Sequence, residues 1–236
     1  MRVAVGTSGY AYKEWKGHFY PADLKAADYL RFYASRFGTV EINNTFYRMP
    51  TEKLLLQWAQ QVPEPFTFTL KAPQQITHRK RLKECGEELQ YFMRTANALG
   101  RRLGPTLFQL PPNFKKDLPR LQDFLTLVPS SWRAAFEFRH ASWFDEEVFG
   151  LLRGHDAALV VAEADPEESP LEVPFVPTAS WGYLRLRRVA YDAPMLRGWV
   201  DRLRGTTWSD AFVYFKHEDE ATGPRLAAEF IAMTAA

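Results

Sequence analysis

Apolar and polar residues alternate in eight short segments of the chain, and these segments predict β-strands. They are rich in Val, Phe, Tyr, Leu and Thr, and Gly, Pro or Asn residues lie at their ends. The predicted strands are Val3–Ser8, Thr39–Phe46, Thr67–Ala72, Thr106–Leu110, Ala134–Arg139, Ala158–Glu163, Gly182–Arg187 and Ala211–Lys216.

Most segments between these strands carry apolar residues at helical spacing. Four helices are predicted, over Asp23–Phe37, from Thr51 to before Pro63, along the apolar stripe Leu89–Leu103 and along Leu118–Val128. Ser142 and Asp192 are the predicted N-caps of two more helices, and Pro224 begins the last one. The sixth connection, Asp165–Pro177, contains four prolines, so no full helix is expected there.

A strand-then-helix alternation repeated eight times in this length predicts a closed parallel (β/α)8 barrel of the TIM type. An open doubly wound sheet would usually show a glycine-rich phosphate loop, and the sequence contains neither of the two common loop patterns. With no linker and no larger repeat, residues 1–236 are expected to form a single barrel domain.

Composition supports a globular protein and excludes disorder, collagen and coiled coil. Of the 236 residues 46% are hydrophobic and 25% charged, and the formal net charge is +2. This balance argues against a general nucleic-acid binder but leaves a local basic patch open. The longest apolar run, Ala157–Ala162, is too short for a membrane span, and the single Cys85 favours a cytoplasmic location.

Alternation within each predicted strand indicates which side chains face the barrel interior, because apolar positions must face the helices. The charged residues assigned inward are the acids Glu41, Glu137 and Glu163 and the bases Lys71, Arg139, Arg185, Arg187 and Lys216. The bases outnumber the acids by two, which predicts a small anionic ligand such as a phosphate or carboxylate. A network of ion pairs that only fills the barrel is the alternative.

Several motifs resemble the domain of unknown function 72 (YecE-like) family, and they run from the first strand to the last. They include Gly6-Thr7-Ser8-Gly9-Tyr10 with Trp15, Val40-Glu41-Ile42-Asn43-Asn44-Thr45-Phe46-Tyr47-Arg48, Phe66-Thr67-Phe68 with Lys71, Thr77-His78, Phe108-Gln109-Leu110-Pro111-Pro112 and Glu137-Phe138-Arg139-His140-Ala141-Ser142-Trp143. The resemblance implies a TIM-type barrel, and a looser likeness to the endonuclease IV and xylose isomerase barrels. It implies no established activity.

The chain departs from the family pattern at two places. The family tends to have tyrosine–arginine–histidine–glycine in the seventh strand, where this chain continues as Arg185-Leu186-Arg187-Arg188. After the eighth strand the family tends to have Phe-Asn-Asn, where this chain has Phe215-Lys216-His217-Glu218. Both departures add positive charge, and they put any role carried over to these positions in doubt.

Five residues are candidates for chemistry at the carboxyl ends of the strands, where barrel enzymes place their active sites. Glu41, Glu137 and His140 are candidates for proton transfer, as expected of a hydrolase that uses acid and base catalysis. Glu137 and Glu163 on neighbouring strands offer the carboxylate pair of a carbohydrate hydrolase. Lys71 is either an ion-pair partner of a glutamate or an amine that forms a Schiff base.

The remaining candidates are expected to line the ligand site. Lys71, Arg139 and Arg185 are predicted to hold the anion, and aromatic residues at the strand ends are predicted to stack on rings of the ligand. The predicted lining residues are Ser8, Tyr10, Trp15, Asn43, Tyr47, Arg48, His78, Gln109, Arg139, Trp143, Arg185, Arg187 and Lys216.

Two alternatives concern other partners. The basic segment Arg79–Lys83 follows the third strand, so a nucleic-acid-binding module or a metal-dependent phosphodiesterase with an endonuclease-like site stays open. No cofactor is expected, although a single divalent metal held by glutamates and His78, His140 or His217 is not excluded. The sequence indicates neither substrate nor oligomeric state.

Overall fold

Eight parallel strands form a nearly closed barrel in the computed structural model, which describes residues 1–216 and 219–235. The strands are β1 (Arg2–Thr7), β2 (Thr39–Ile42), β3 (Thr67–Lys71), β4 (Leu103–Gln109), β5 (Ala134–Glu137), β6 (Ala158–Glu163), β7 (Trp181–Leu186) and β8 (Asp210–Phe215). From β2 to β8 each strand pairs with the next in chain order, and β8 pairs with β1, whereas within the residues described β1 and β2 meet only in an isolated bridge between Ser8 and Glu41. The predicted barrel is therefore confirmed.

Helices connect most of the strands. They are α1 (Tyr29–Ala34), α2 (Asn44–Tyr47), α3 (Glu52–Ala59), α4 (Gly86–Ala96), α5 (Leu118–Thr126), α6 (Glu146–Gly154), α7 (Ala193–Arg204) and α8 (Thr222–Ala235). Among the described residues, those between β6 and β7 form no helix, as the four prolines predict. Aromatic and aliphatic side chains between the strands and the helices form the main core.

The seam between β1 and β2 is closed by a side chain. Strand β1 approaches β2 so closely that a Cβ on Gly6 would lie 2.1 Å from the carbonyl oxygen of Thr39. The hydroxyl of Tyr33, from α1, accepts from the amide of Thr7 at 2.8 Å and donates to the carbonyl of Thr39 at 3.0 Å. This hydroxyl satisfies backbone groups that a regular ladder would otherwise pair.

Several predicted boundaries are wrong for local reasons. Strand β2 ends at Ile42 and not at Phe46, because Asn44 starts the short helix α2. The helix predicted from Asp23 starts only at Tyr29, after a 3-10 turn. Asp145, not Ser142, caps α6, since its carboxylate accepts from the amide of Val148 at 3.0 Å.

The region around Leu103 also differs from the prediction. Helix α4 ends at Ala96, and a 3-10 segment follows over Asn97–Arg102. Gly100 in that segment has φ of 55°, a left-handed conformation that breaks the helix. Leu103 therefore begins β4, where the spacing of apolar residues had predicted the end of a helix.

Candidate functional site

A buried group of three charged side chains occupies the barrel interior near the carboxyl ends of the strands. The guanidinium of Arg185 on β7 donates to Oε1 of Glu41 on β2 at 2.8 Å and to Oε2 of Glu137 on β5 at 2.6 Å. All three side chains are at most 4% exposed. One arginine thus bridges two carboxylates from distant strands.

Neutral side chains complete the hydrogen bonding of both carboxylates. Glu41 also accepts from the hydroxyls of Ser8 and Tyr183, each at 2.5 Å, and from the amide of Asn43 at 3.4 Å. Glu137 accepts from the amide of Gln109 at 2.9 Å. Each carboxylate oxygen therefore has a donor before any ligand arrives.

Their surroundings keep both glutamates ionised. Burial alone would raise the pKa of Glu137, but Arg185, Arg187 and Lys71 outweigh it and lower the pKa to about 2. Burial opposes ionisation of Glu41 as well, and Arg185 with the Ser8 and Tyr183 hydroxyls lowers its pKa. A carboxylic acid with a lowered pKa is a poor proton donor at neutral pH, so this environment disfavours a general-acid role.

Lys71 lies beside this group without joining it. The side chain is 8% exposed, at the last position of β3, and its Nζ lies 4.2 Å from the centre of the Phe46 ring. Lys71 forms no ion pair with any residue in the described ranges. Burial, and then Arg185, lower its pKa to about 8, against the opposing effect of Glu137 and Glu41.

His78 lies in an unusual helical turn next to Lys71. Residues Gln75–Arg79 form a π-helix after β3, a conformation that is frequent at functional sites. The Nδ1 of His78 lies 2.9 Å from the hydroxyl of Thr77, and its ring packs edge-on against Phe46 at 4.8 Å. Burial, Lys71 and Arg139 lower its pKa to about 4, so the imidazole is neutral at physiological pH.

Arg139 and Lys216 extend the positive charge outward from Lys71. Arg139 is half-buried two residues beyond β5 and forms neither a hydrogen bond nor an ion pair with a described residue. Lys216 is half-buried after β8, and the adjacent His217 and Glu218 lie outside the described residues. Arg187, by contrast, pairs with Glu168 of the proline-rich connection at 3.2 Å.

The inward assignment of Glu163 is wrong. Val160 and Ala162 belong to the apolar cluster inside the barrel, so Glu163 faces the helices. There its carboxylate accepts from the indole of Trp199 at 2.9 Å and pairs with Arg188 at 3.0 Å. Because Glu163 and Glu137 face opposite sides of the sheet, they cannot form the carboxylate pair of a glycosidase.

Two aromatic residues expected to stack on a ligand belong to the core instead. Trp15 is 1% exposed and packs against Tyr12 and Tyr20. Trp143 is fully buried, stacks on Phe138 at 4.7 Å and donates from its indole to the carbonyl of Phe114 at 2.7 Å. Neither ring has a free face for a ligand.

The other predicted rim residues lie beside the mouth, over β2. Tyr47 and Arg48 are exposed and line a cavity of about 520 Å³ together with Thr51 and Leu54. Tyr10 is half-buried and lines a neighbouring cavity of about 160 Å³. These residues therefore border a surface groove and do not contact the Glu41–Arg185–Glu137 group through any hydrogen bond described.

His140 has a structural role that accounts for its position. Its Nδ1 accepts from the backbone amide of Ser142 at 3.1 Å and lies 2.9 Å from the Ser142 hydroxyl. His140 thereby caps the 3-10 turn Ala141–Trp143. The nitrogen that a general base would use is occupied by this cap.

The basic segment Arg79–Lys83 is largely tied to the protein itself. Lys80 pairs with Glu88 at 2.6 Å and donates to the carbonyl of Glu84 at 2.7 Å. Arg81 donates to the side chain of Asn113 at 3.2 Å. Arg79 is exposed and is the member of this segment best placed to contact a phosphate backbone.

Phe46 is a contributor to this site that sequence reasoning missed. Its alternation with polar neighbours placed it at the end of the second strand, whereas it lies in α2 and its ring supports both Lys71 and His78. No signal in the sequence distinguishes this ring from the other phenylalanines of the core.

Residues 1–216 and 219–235 contain neither a cluster of metal ligands nor a membrane-spanning helix. Within these ranges no three side chains of His, Cys, Asp or Glu gather closely enough to hold a metal ion. No helix in the same ranges has the length and apolar character needed to span a bilayer.

Together, the fold and this site define a TIM-type barrel protein with a buried charged group at the carboxyl edge of its strands. The chain belongs to the family described as "Protein of unknown function DUF72", whose model matches residues 4–236. The predicted family resemblance is therefore confirmed.

Relatives and solved structures agree with this assignment. The UPF0759 protein YecE of Escherichia coli is 34% identical over 128 residues, which are 53% of this chain and about half (47%) of that protein. The UPF0759 protein YunF of Bacillus subtilis is 24% identical over 92% of this chain and 79% of its own length. A DUF72 family protein of Thermotoga maritima superposes over the whole of both chains with a TM-score of 0.88 at 28% identity.

Proposed function

We propose that the mouth of the barrel binds a small anion, such as a phosphate or carboxylate group, through Arg139 and Lys71. One observation carries the proposal: neither side chain forms an ion pair within the described residues, while the nearby acids Glu41 and Glu137 are bonded to Arg185. Among the described side chains, Arg185, Arg139 and protonated Lys71 lie around the two carboxylates. A ligand anion compensates the excess charge.

Arg185 supports this site without serving as an anion clamp. Both of its terminal nitrogens already donate to carboxylates, so it holds Glu41 and Glu137 in place. In this proposal the two glutamates fix the interior geometry and are not the acid and base of a hydrolase. Lys71 and Arg139, at the outer side of the group, supply the donors.

The proposal is preferred over a nucleic-acid-binding module because of where the free charge lies. Lys80 and Arg81 of the basic segment are bound to neighbouring protein groups, whereas Arg139 binds no side chain in the described ranges. A buried cation near the barrel interior suits a compact anion better than an extended phosphate backbone.

Isothermal titration calorimetry with inorganic phosphate tests the proposal. The wild-type protein should bind at millimolar phosphate or below, and Arg139→Gln should weaken binding at least about tenfold, because a charge-assisted hydrogen bond is worth roughly 1.5–3 kcal/mol. The matched control is Arg101→Gln at the opposite end of the barrel, where binding should not change. Absence of phosphate binding to the wild type would refute the proposal.

A further inference from the structure

The position and the surroundings of the Lys71 amine are those expected of a reactive group. It lies at the end of a barrel strand, it is 8% exposed, and its neighbour at 4.2 Å is the face of the Phe46 ring. A lysine that only balances charge would be expected to contact a carboxylate. The two carboxylates nearby instead use their oxygens for Arg185 and for neutral donors.

We propose that Lys71 forms an imine with the carbonyl carbon of an anionic aldehyde or ketone. The proposal rests on the anion site described above, since Arg139 would hold the negatively charged group of the same ligand. It narrows the ligand class to small molecules that carry both an anionic group and a carbonyl.

The chemistry requires no co-reactant. The neutral amine attacks the carbonyl carbon, so that a C–N bond forms and the electron pair of the C=O bond moves to oxygen. The two protons of the amine pass to that oxygen, which leaves as water. The product is an imine between Nζ and the former carbonyl carbon, and hydrolysis reverses the step.

The surroundings favour the neutral amine that this step needs. Burial and the guanidinium of Arg185 lower the pKa of Lys71 to about 8, so a useful fraction is unprotonated at neutral pH. The adjacent imidazole of His78, with a pKa lowered to about 4, adds no competing charge. An exposed lysine with an ordinary pKa near ~10.4 is almost fully protonated under the same conditions.

The chain that follows Lys71 adopts conformations that cost energy. The π-helix Gln75–Arg79 is followed by Arg81, Leu82 and Glu84, which have positive φ angles of 49°, 67° and 46°. Non-glycine residues in this region are strained, and such strain concentrates at ligand sites. This observation supports a functional role for the segment that carries His78.

Reductive trapping tests the proposal with pyridoxal 5′-phosphate as the probe, because this aldehyde also carries a phosphate. Borohydride converts an imine into a stable secondary amine, which peptide mass spectrometry locates. At neutral pH Lys71 should be labelled at least about tenfold more than the exposed Lys53, since its neutral fraction is far larger. Pyridoxal without the phosphate should label Lys71 less.

Two variants separate this proposal from the anion site. Lys71→Arg should lose the label at this position, because a guanidinium keeps the positive charge but forms no imine under these conditions. Arg139→Gln should remove the preference for the phosphorylated aldehyde while Lys71 stays reactive. Circular dichroism and unfolding midpoints verify that both variants fold.

The outcomes distinguish the two proposals. Phosphate binding without preferential labelling of Lys71 would overturn the imine and leave the anion site intact. Equal labelling of Lys71 by both aldehydes, with no phosphate binding, would overturn the anion site and leave the imine. Preferential phosphate-dependent labelling would support both.

Discussion

The two ends of the barrel both carry arginines and acids, yet they compensate charge differently. At the amino end of the strands a cavity of about 570 Å³ is lined by Arg2, Arg101 and Arg133. Asp210 binds both Arg2 and Arg133, at 3.0 and 2.6 Å, and Glu64 lies 3.9 Å from Arg101. At the carboxyl end Lys71 and Arg139 have no such acid within the described part of the chain.

The comparison teaches that cavity volume alone does not locate a binding site. The amino-end cavity is roomy, but each of its arginines contacts an acid, and Arg2 and Arg101 are exposed, so water screens the charge that the two acids leave. The carboxyl end is tightly packed and carries buried charge for which the described residues supply no ion-pair partner. In TIM-type barrels the carboxyl end serves function and the amino end serves stability, which agrees with this contrast.

The strongest test of this comparison removes the arginine that bridges the buried acids. Arg185→Met would leave Glu41 and Glu137 buried and without their shared partner. We expect a loss of about 3–5 kcal/mol in the free energy of unfolding, measured by urea denaturation. Removing a partner is costly because the remaining charges lose both attraction and hydrogen bonds.

The matched variant at the amino end is Arg133→Met. Its partner Asp210 is 17% exposed and keeps Arg2, so we expect a loss of roughly 1 kcal/mol or less. Equal losses at the two ends would contradict the difference in burial on which the comparison depends.

The alternation of apolar and polar residues was sufficient to predict that Glu41, Glu137 and Arg185 face the barrel interior. In β2, Val40 and Ile42 define the face toward the helices, so Glu41 must point inward, and Leu184 and Leu186 place Arg185 in the same way. These directions do not specify partners: Arg185, which was expected to hold the anion, binds both glutamates instead. Barrel geometry brings the ends of all strands to one mouth.

The prediction failed where a strand is apolar on both faces. It also failed where the partner of a side chain lies in a distant loop. Strand β6 is apolar on both faces, so nothing in its sequence fixed the direction of Glu163. The pairing of Arg187 with Glu168 depends on the path of the proline-rich connection, which no periodicity describes. Trp143 shows the same limit, because a tryptophan in a loop fits either core or rim.

The next largest effect concerns the lysine at the carboxyl end. Lys71→Met should raise the free energy of unfolding at pH 7 by about 1–3 kcal/mol, since it removes a disfavoured buried charge while losing its contact with Phe46. Arg101→Met at the exposed amino end should leave the unfolding midpoint unchanged. Destabilisation by Lys71→Met would indicate that the amine is structural.

The pH dependence of the same variant follows from the direction of the shift. The folded pKa of Lys71 lies near 8, below the value of the unfolded chain, so the unfolded state binds more protons between about pH 8 and 10. The stability contribution of this group therefore rises with pH in that window. Urea unfolding at several pH values should show a smaller rise for Lys71→Met than for the wild type.

A weaker difference between the two ends is expected in how stability changes at acidic pH. The folded pKa of His78 is lowered to about 4, so its contribution to stability is lost as pH falls from about 6.5 to 4. Asp210 has a pKa below its usual value of 3.8, because Arg133 and Arg2 outweigh the effect of burial, and its contribution is lost only at lower pH. His78→Asn should therefore flatten the decline of stability between pH 6.5 and 4, and Asp210→Asn should not.

The smallest effect is expected outside the mouth, in the basic segment after the π-helix. Arg79→Ala removes an exposed cation that belongs to neither the buried group nor the proposed anion contacts. We expect phosphate affinity, measured by calorimetry, to change less than about threefold, because screening weakens an exposed charge at this range. Fluorescence anisotropy with single-stranded and duplex DNA should show no tight binding by either protein. If the protein instead binds DNA with a steep salt dependence, and Arg79→Ala abolishes this binding, the basic segment is a nucleic-acid-binding surface. That result would contradict the proposal that the charged mouth of the barrel is the functional site.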